Sequence, residues 1–263
     1  MSDNLHPVLH SVQDGRLLRL TLNRPDKRNA LNRELCHSLV QELEEADTDP
    51  AIGAILLDGH GTCFCAGMDL DQAAGGNPPE INILHEQLFT IGARLAKPLV
   101  AAVHGAALGG GTGLVANCHI VIAAENATFG LTEIRLGLWP FLVFRAVAAA
   151  MGERRTLERA LSGRTFNGKQ GREFGLIHET AAVGDALPQA TEVARTVANF
   201  SPTAIQSGLR FVREARGQNW EQAGEIARRI RDQVLQSADF QEGVRAWREK
   251  RAPRWPSISG PAP

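Results

Sequence analysis

Apolar and polar positions along the chain follow two periods, one of about two residues and one of three to four. Residues 8–13 and 16–22 are β-rich runs around Asp14-Gly15, a hairpin signal. Leu31, Leu35, Leu39 and Leu43 then form one stripe, which predicts a helix capped by Asn32. Residues 52–57 are a short apolar run that reads as a buried strand. It ends at the turn Asp58-Gly59-His60-Gly61, after which Cys63-Phe64-Cys65 re-enters the core. Residues 73–79 predict a flexible loop. Ile81, Leu84, Leu88, Ile91 and Leu95 predict the helix that follows it. Residues 99–103 and 120–124 are further buried strands, with a glycine-rich turn and a helix between them.

The β signal fades after about residue 182, and the remainder reads as helical. Ser201-Pro202 is an N-cap followed by proline at the first helical position. Asn219 starts a second helix with Ala223, Ile226, Ala227, Ile230 and Val234 on one face. Asp239 and Glu242 make a capping-box pattern for a third, with Phe240, Val244 and Trp247 on one side. The expected organisation is an α/β core over residues 1–200, a helical region over 201–252 and an extended proline-rich tail over 253–263. No internal repeat has a convincing sequence period.

Composition narrows the function classes. The chain has 263 residues, 43% of them apolar and 22% charged, with a formal net charge of −1. That supports a sizeable core and gives no reason to expect nucleic acid or an acidic membrane surface as partner. No segment approaches the roughly 20 apolar residues that span a bilayer. Met1 to Asn4 lacks a basic start and an apolar run, so no secretory signal is expected. Cys36, Cys63, Cys65 and Cys118 are too scattered for a disulfide framework and read as packing residues. A cytoplasmic location is the expectation.

Three segments carry candidate chemistry. In Phe64-Cys65-Ala66-Gly67-Met68-Asp69-Leu70 a strand ends in small residues, leaving the Met68 N–H free and the backbone open to a ligand; a plain strand-to-loop exit looks the same. In Gly105 to Gly113 a glycine-rich turn enters a helix, so that bare N–H donors face an anion; a packing turn is the alternative. Its glycine spacing fits neither a P-loop nor a dinucleotide fingerprint. In Phe129 to Pro140, Glu133 stands among apolar residues and needs either a partner, such as Arg135, or a raised pKa.

Together the three resemble the crotonase, or enoyl-CoA hydratase/isomerase, superfamily. Also matching are Asn23-Arg24-Pro25, Arg28-Asn29-Ala30-Leu31, His104-Gly105, Ala160-Leu161-Ser162-Gly163-Arg164, Gly175-Leu176-Ile177-His178-Glu179 and Ala181. The resemblance spans roughly residues 8–250. It implies a spiral of ββα units followed by a helical trimerisation region, homotrimers or hexamers built from two trimers, and an acyl-CoA thioester substrate. It implies no metal and no cofactor, coenzyme A being part of the substrate. Carried onto this chain, the N–H groups of Met68 and Gly110 hold the thioester oxygen and Glu133 is the acid/base. The substrate-binding residues are Lys27, Arg28, Ala30, Ala66, Gly67, Asp69, Leu70, Gly109, Thr132, Trp139 and Phe141.

The pattern departs from the two-acid hydratases at two places. Where they carry a first glutamate, this chain has Gly113, so that Glu133 is left alone. Where many have a glycine-rich loop, it has Trp139-Pro140-Phe141-Leu142-Val143-Phe144, which should dry the site and raise the Glu133 pKa. A single carboxylate suits a proton shuttle that moves a double bond from the 3,4 to the 2,3 position, yet some one-glutamate members look hydratase-like. Thioester hydrolysis, C–C cleavage and a non-catalytic acyl-CoA-binding oligomer are the alternatives. Asp69 is expected to cap a turn, His85 and Glu86 to lie on an exposed helix face, and His104 and His119 to be hydrogen-bonded structural groups.

Overall fold

The computed structural model describes residues 7–76 and 79–258. Asn77 and Pro78 of the expected loop, residues 1–6 and the end of the expected tail lie outside the described residues. The strands are β1 (Leu9–Asp14), β2 (Leu17–Leu22), β3 (Ala54–Gly59), β4 (Leu99–Val103), β5 (Ala106–Leu108), β6 (Ile120–Ala124), β7 (Thr128–Gly130), β8 (Phe166–Asn167) and β9 (Glu179–Ala181). The α-helices are α1 (Arg33–Thr48), α2 (Leu70–Ala74), α3 (Pro79–Thr90), α4 (Gly110–Ala116), α5 (Phe141–Met151), α6 (Glu153–Ser162), α7 (Gly168–Phe174), α8 (Ala186–Ala198), α9 (Pro202–Ala215), α10 (Trp220–Leu235) and α11 (Ala238–Glu249).

The larger sheet has the order β1-β2-β3-β4-β6-β9. Its first pair is the hairpin around Asp14-Gly15, antiparallel with Leu9 opposite Leu22 and Asp14 opposite Leu17. Every later pairing is parallel. Parallel strands are covered on both faces, which is why β3 and β4 read as continuous apolar runs and are buried throughout. One cover is α8, whose buried Ala186, Ala190, Ala194 and Ala198 recur every four residues and let the helix lie close over β3, β4 and β6.

A smaller sheet, β5-β7-β8, explains how the site is assembled. Cys65 extends it through a parallel bridge to Ala107. The chain thus repeats one path three times: a strand in the large sheet (β3, β4, β6), a short extended segment in the small one (Cys65, β5, β7), then a helical turn. Backbone hydrogen bonds lock adjacent turns, with Cys65 N–H donating to Ala106 O, Leu108 N–H to Cys65 O, and Gly109 N–H to Gly130 O. Each turn delivers one candidate residue just past its small-sheet segment: Met68, Gly110 and Glu133.

Two local expectations change. Helix α3 ends at Thr90, and Ile91 opens a 3₁₀ turn, so Ile91 and Leu95 do not continue its stripe. Helix α11 is capped by Ser237, which accepts from the Phe240 N–H; Asp239 and Glu242 are buried and bonded elsewhere. The predicted caps at Asn32, Ser201 and Asn219 are present. Helices α9, α10 and α11 pack mainly on one another, and Trp220 and Trp247 on them are exposed.

Candidate active site

The loop from Arg24 to Ala30 forms one edge of the site. A 3₁₀ turn at Pro25–Lys27 leads to Arg28 and Asn29, both at positive φ (52° and 54°). Asn29 is fully buried and makes that conformation worth holding. Its Oδ1 accepts from the Arg24 N–H, and its Nδ2 donates to the carbonyls of His60 and Cys63 at 3.0 and 2.7 Å. The loop is thereby pinned beside the strand exit, where Ala66 N–H donates to Arg28 O, Leu31 N–H to Gly67 O and Asp69 N–H to Leu31 O.

The two candidate donors lie side by side. A Cβ built on Gly110 would be 3.6 Å from the Gly67 Cα, and one built on Gly67 would be 3.2 Å from the Gly110 nitrogen. Among the described residues the Met68 N–H has no protein acceptor. Gly110 opens α4, where the first N–H groups have no intrahelical partner. Gly109 before it has φ 52°, and any side chain there would come within 3.0 Å of Glu133 Oε1. The glycine therefore keeps the carboxylate against the donor segment.

Glu133 begins a 3₁₀ turn, Glu133–Leu136. Its Oε2 is buried with no hydrogen-bond partner among the described residues, and burial pushes the carboxyl above the ordinary glutamate range. The expected alternative, a salt bridge to Arg135, does not form: that guanidinium donates to Gly163 O at 2.6 Å. The space a first glutamate would need is also occupied. A Cβ on Gly113 would lie 2.3 Å from Val143 Cγ1 and 3.2 Å from Phe89 Cδ1.

A cavity of about 440 Å³ joins these parts. It takes in Ala66, Gly67, Met68, Leu70, Gly109, Gly110, Thr132, Glu133, Trp139 and Phe141 from the sequence-predicted set. Leu70 and Phe141 are exposed, 50% and 73%, and stand at its mouth. Lys27, Arg28, Ala30 and Asp69 do not line it. Lys27 pairs with Asp71 at 3.0 Å in the open, and Asp69 caps α2 while holding Arg24 at 2.9 Å. His104 Nε2 donates to Gly61 O, and His119 Nδ1 accepts from the Leu99 N–H, both structural roles.

His85 corrects the sequence reading. It is buried, 6% exposed, and lines the cavity with Asn82 and Phe89, whereas Glu86 is exposed as expected. The signal was present: His85 is four residues after Ile81 and four before Phe89, on the buried stripe. Leu142 and Val143 line it as part of the apolar segment expected to dry the site, and Leu136 and Leu138 are further lining residues outside the predicted set.

The family model for enoyl-CoA hydratase/isomerase matches residues 13–257. The chain belongs to the enoyl-CoA hydratase/isomerase family. An enoyl-CoA hydratase of Mycobacterium tuberculosis is 37% identical over 250 residues, covering 92% of this chain and 93% of the relative. The 2,3-dehydroadipyl-CoA hydratase of Escherichia coli is 35% identical over 240 residues, covering 90% and 94%. The crystal structure of an enoyl-CoA hydratase from M. tuberculosis H37Rv superposes with a TM-score of 0.88 at 30% identity, covering 96% of this chain and 100% of that one. The crotonase-type α/β fold and an acyl-CoA-processing enzyme of this family follow. Among the described residues no cluster of three or more His, Cys, Asp or Glu side chains could hold a metal ion, and no helix is long and apolar enough to cross a membrane.

Proposed function

We propose that the chain shifts the double bond of an enoyl-CoA thioester with Glu133 as its single acid/base. The reading rests on one observation: Glu133 is half-buried beside the donor segment with its Oε2 buried and, among the described residues, without a hydrogen-bond partner, while Val143 and Phe89 fill the space a second acid would need. The Met68 and Gly110 N–H groups donate hydrogen bonds to the thioester oxygen. Glu133, ionised, takes a proton from C2 of a 3-enoyl-CoA. The electron pair moves onto the thioester oxygen as a dienolate, which the two donors and the start of α4 stabilise. The protonated Glu133 returns the same proton at C4, leaving the 2,3-double bond conjugated with the thioester. The apolar surround of Trp139, Phe141 and Leu142 excludes water that would otherwise exchange that proton.

Coenzyme A lies along Arg24 to Ala30 in this reading. The Lys27–Asp71 pair is exposed and weak enough for a phosphate to displace. Trimers, alone or paired as hexamers, are the proposed assembly, supported by the exposed Trp220 and Trp247 of the C-terminal helices; sedimentation velocity tests this. Hydration is the second reading, favoured by the names of the relatives. Crotonyl-CoA and a 3-enoyl-CoA, offered separately, distinguish the two. Isomerisation gives rising thioester-conjugation absorbance from the 3-enoyl substrate. Rapid loss of crotonyl-CoA absorbance, with no action on the 3-enoyl ester, rejects it in favour of hydration.

A further inference from the structure

Helix α3 brings a second kind of chemistry to the cavity. Its wall facing the acyl chain carries Asn82, His85 and Phe89, at helical spacings of three and four. Phe89 touches the glycine segment, its Cζ lying 3.1 Å from a Cβ built on Gly110. The His85 ring is tilted against Phe89 with centroids 5.9 Å apart. His85 is therefore one aromatic ring removed from the donors, where the proposed binding mode carries the acyl chain beyond the thioester carbonyl. It is 94% buried by its 6% exposure, and among the described residues its Nε2 has no hydrogen-bond partner. A buried imidazole nitrogen left without a partner costs free energy that an apolar residue on the same stripe would not.

We infer that His85, with Asn82 one turn before it, recognises a neutral oxygen on the acyl chain, a hydroxyl or a carbonyl, so that the preferred thioester carries such a group beyond the reacting carbons. The inference rests on the proposed acyl-CoA reading of the cavity. The lining argues for a neutral group over a carboxylate: among the described residues no Lys or Arg lines the cavity, and Glu133 does. Burial also holds the His85 pKa below its ordinary value, keeping the ring neutral and able to donate or accept. A site built to hydrogen-bond a substrate oxygen discriminates against the chain that lacks it, because its own polar group is then stranded.

The test is calorimetric binding of saturated thioesters, which undergo neither isomerisation nor hydration. Hexanoyl-CoA is compared with hexanoyl-CoA esters hydroxylated at carbon 4, 5 or 6, in the parent, His85→Phe and His85→Gln. At least one hydroxylated ester should bind the parent about tenfold or more tightly than hexanoyl-CoA. The preference should fall to near unity in His85→Phe and survive in part in His85→Gln, whose amide restores a hydrogen-bonding group. No preference in the parent overturns the inference, as does a preference unchanged in His85→Phe. Hexanoyl-CoA binding without a preference defeats only the polar recognition. Failure to bind any ester defeats the acyl-CoA reading itself.

Discussion

Two glutamates, one in each half of the molecule, are withdrawn from water and treated in opposite ways. Glu242 in the C-terminal helices is 7% exposed, and Arg251 grips both its oxygens at 2.6 and 3.1 Å. The Arg254 N–H adds a third bond, and together these hold its pKa down at about 2. Among the described residues Glu133 in the spiral core forms no ion pair and has an oxygen without a partner, and its pKa is raised. A carboxylate already saturated with donors is inert, while one that is short of donors remains able to take and return a proton. The difference lies in the partners each fold region supplies.

The largest effect that bears on this contrast is chemical. Glu133→Gln should lower turnover of the preferred enoyl-CoA by about 10²–10⁴-fold. Glu242→Gln should keep the parental rate per folded molecule. Equal losses would end the distinction between the two sites. Next comes geometry. Gly109→Ala pushes a methyl toward Glu133 Oε1 and strains the positive φ, and should cost about 10²-fold in kcat with thioester binding largely kept. Gly113→Ala forces a methyl against Val143 and should destabilise the fold by about 1–3 kcal/mol in denaturant unfolding.

The smallest effects are the most diagnostic, because their signs differ. Glu242 has a lowered folded pKa. Its contribution to stability is present above the unfolded value of about 4.3 and is lost as pH falls toward about 2. Glu242→Gln should therefore melt lower at neutral pH, with the gap closing on acidification. Glu133 has a raised folded pKa, so its ionisation opposes folding above that pKa and the penalty vanishes as pH falls through it. Glu133→Gln should melt higher at neutral pH, by on the order of 1 kcal/mol, and converge with the parent in acid. Melting curves from about pH 2 to 8 span both windows and read both signs; the same sign for both variants would refute the electrostatic contrast. The acid limb of kcat/KM should likewise lie above the range of an ordinary glutamate.

Local chemistry made much of this legible in the sequence. Asp14-Gly15, Asn32, Ser201 and Asn219 act on their immediate neighbours, and each does in the fold what its residue type predicts. The α11 cap was misread because the carboxylate of Asp239 is claimed by Ser201 and Ser257, residues far along the chain. His85 was hidden by a stripe drawn through Leu84, Leu88 and Ile91, which presumes that α3 outlasts Thr90. The absence of an acid at Gly113 was plain in the sequence. That Val143, thirty residues later, occupies its place is a property of packing alone.

Thr112 has a consequence of its own. Its hydroxyl lies 2.7 Å from Ala107 O and 3.0 Å from Gly130 O, and it accepts from the Gly130 N–H at 3.1 Å. One small side chain thus welds the start of α4 to both strands beneath it, and so to the segment that carries Glu133. The spacing between donors and base belongs to this welded block, whereas α3 and the Trp139–Val143 segment stand outside it. Substitutions on those outer walls can retune which acyl chain is accepted while the reacting geometry stays put, so that a lineage built on this frame is free to change its diet without relearning its chemistry.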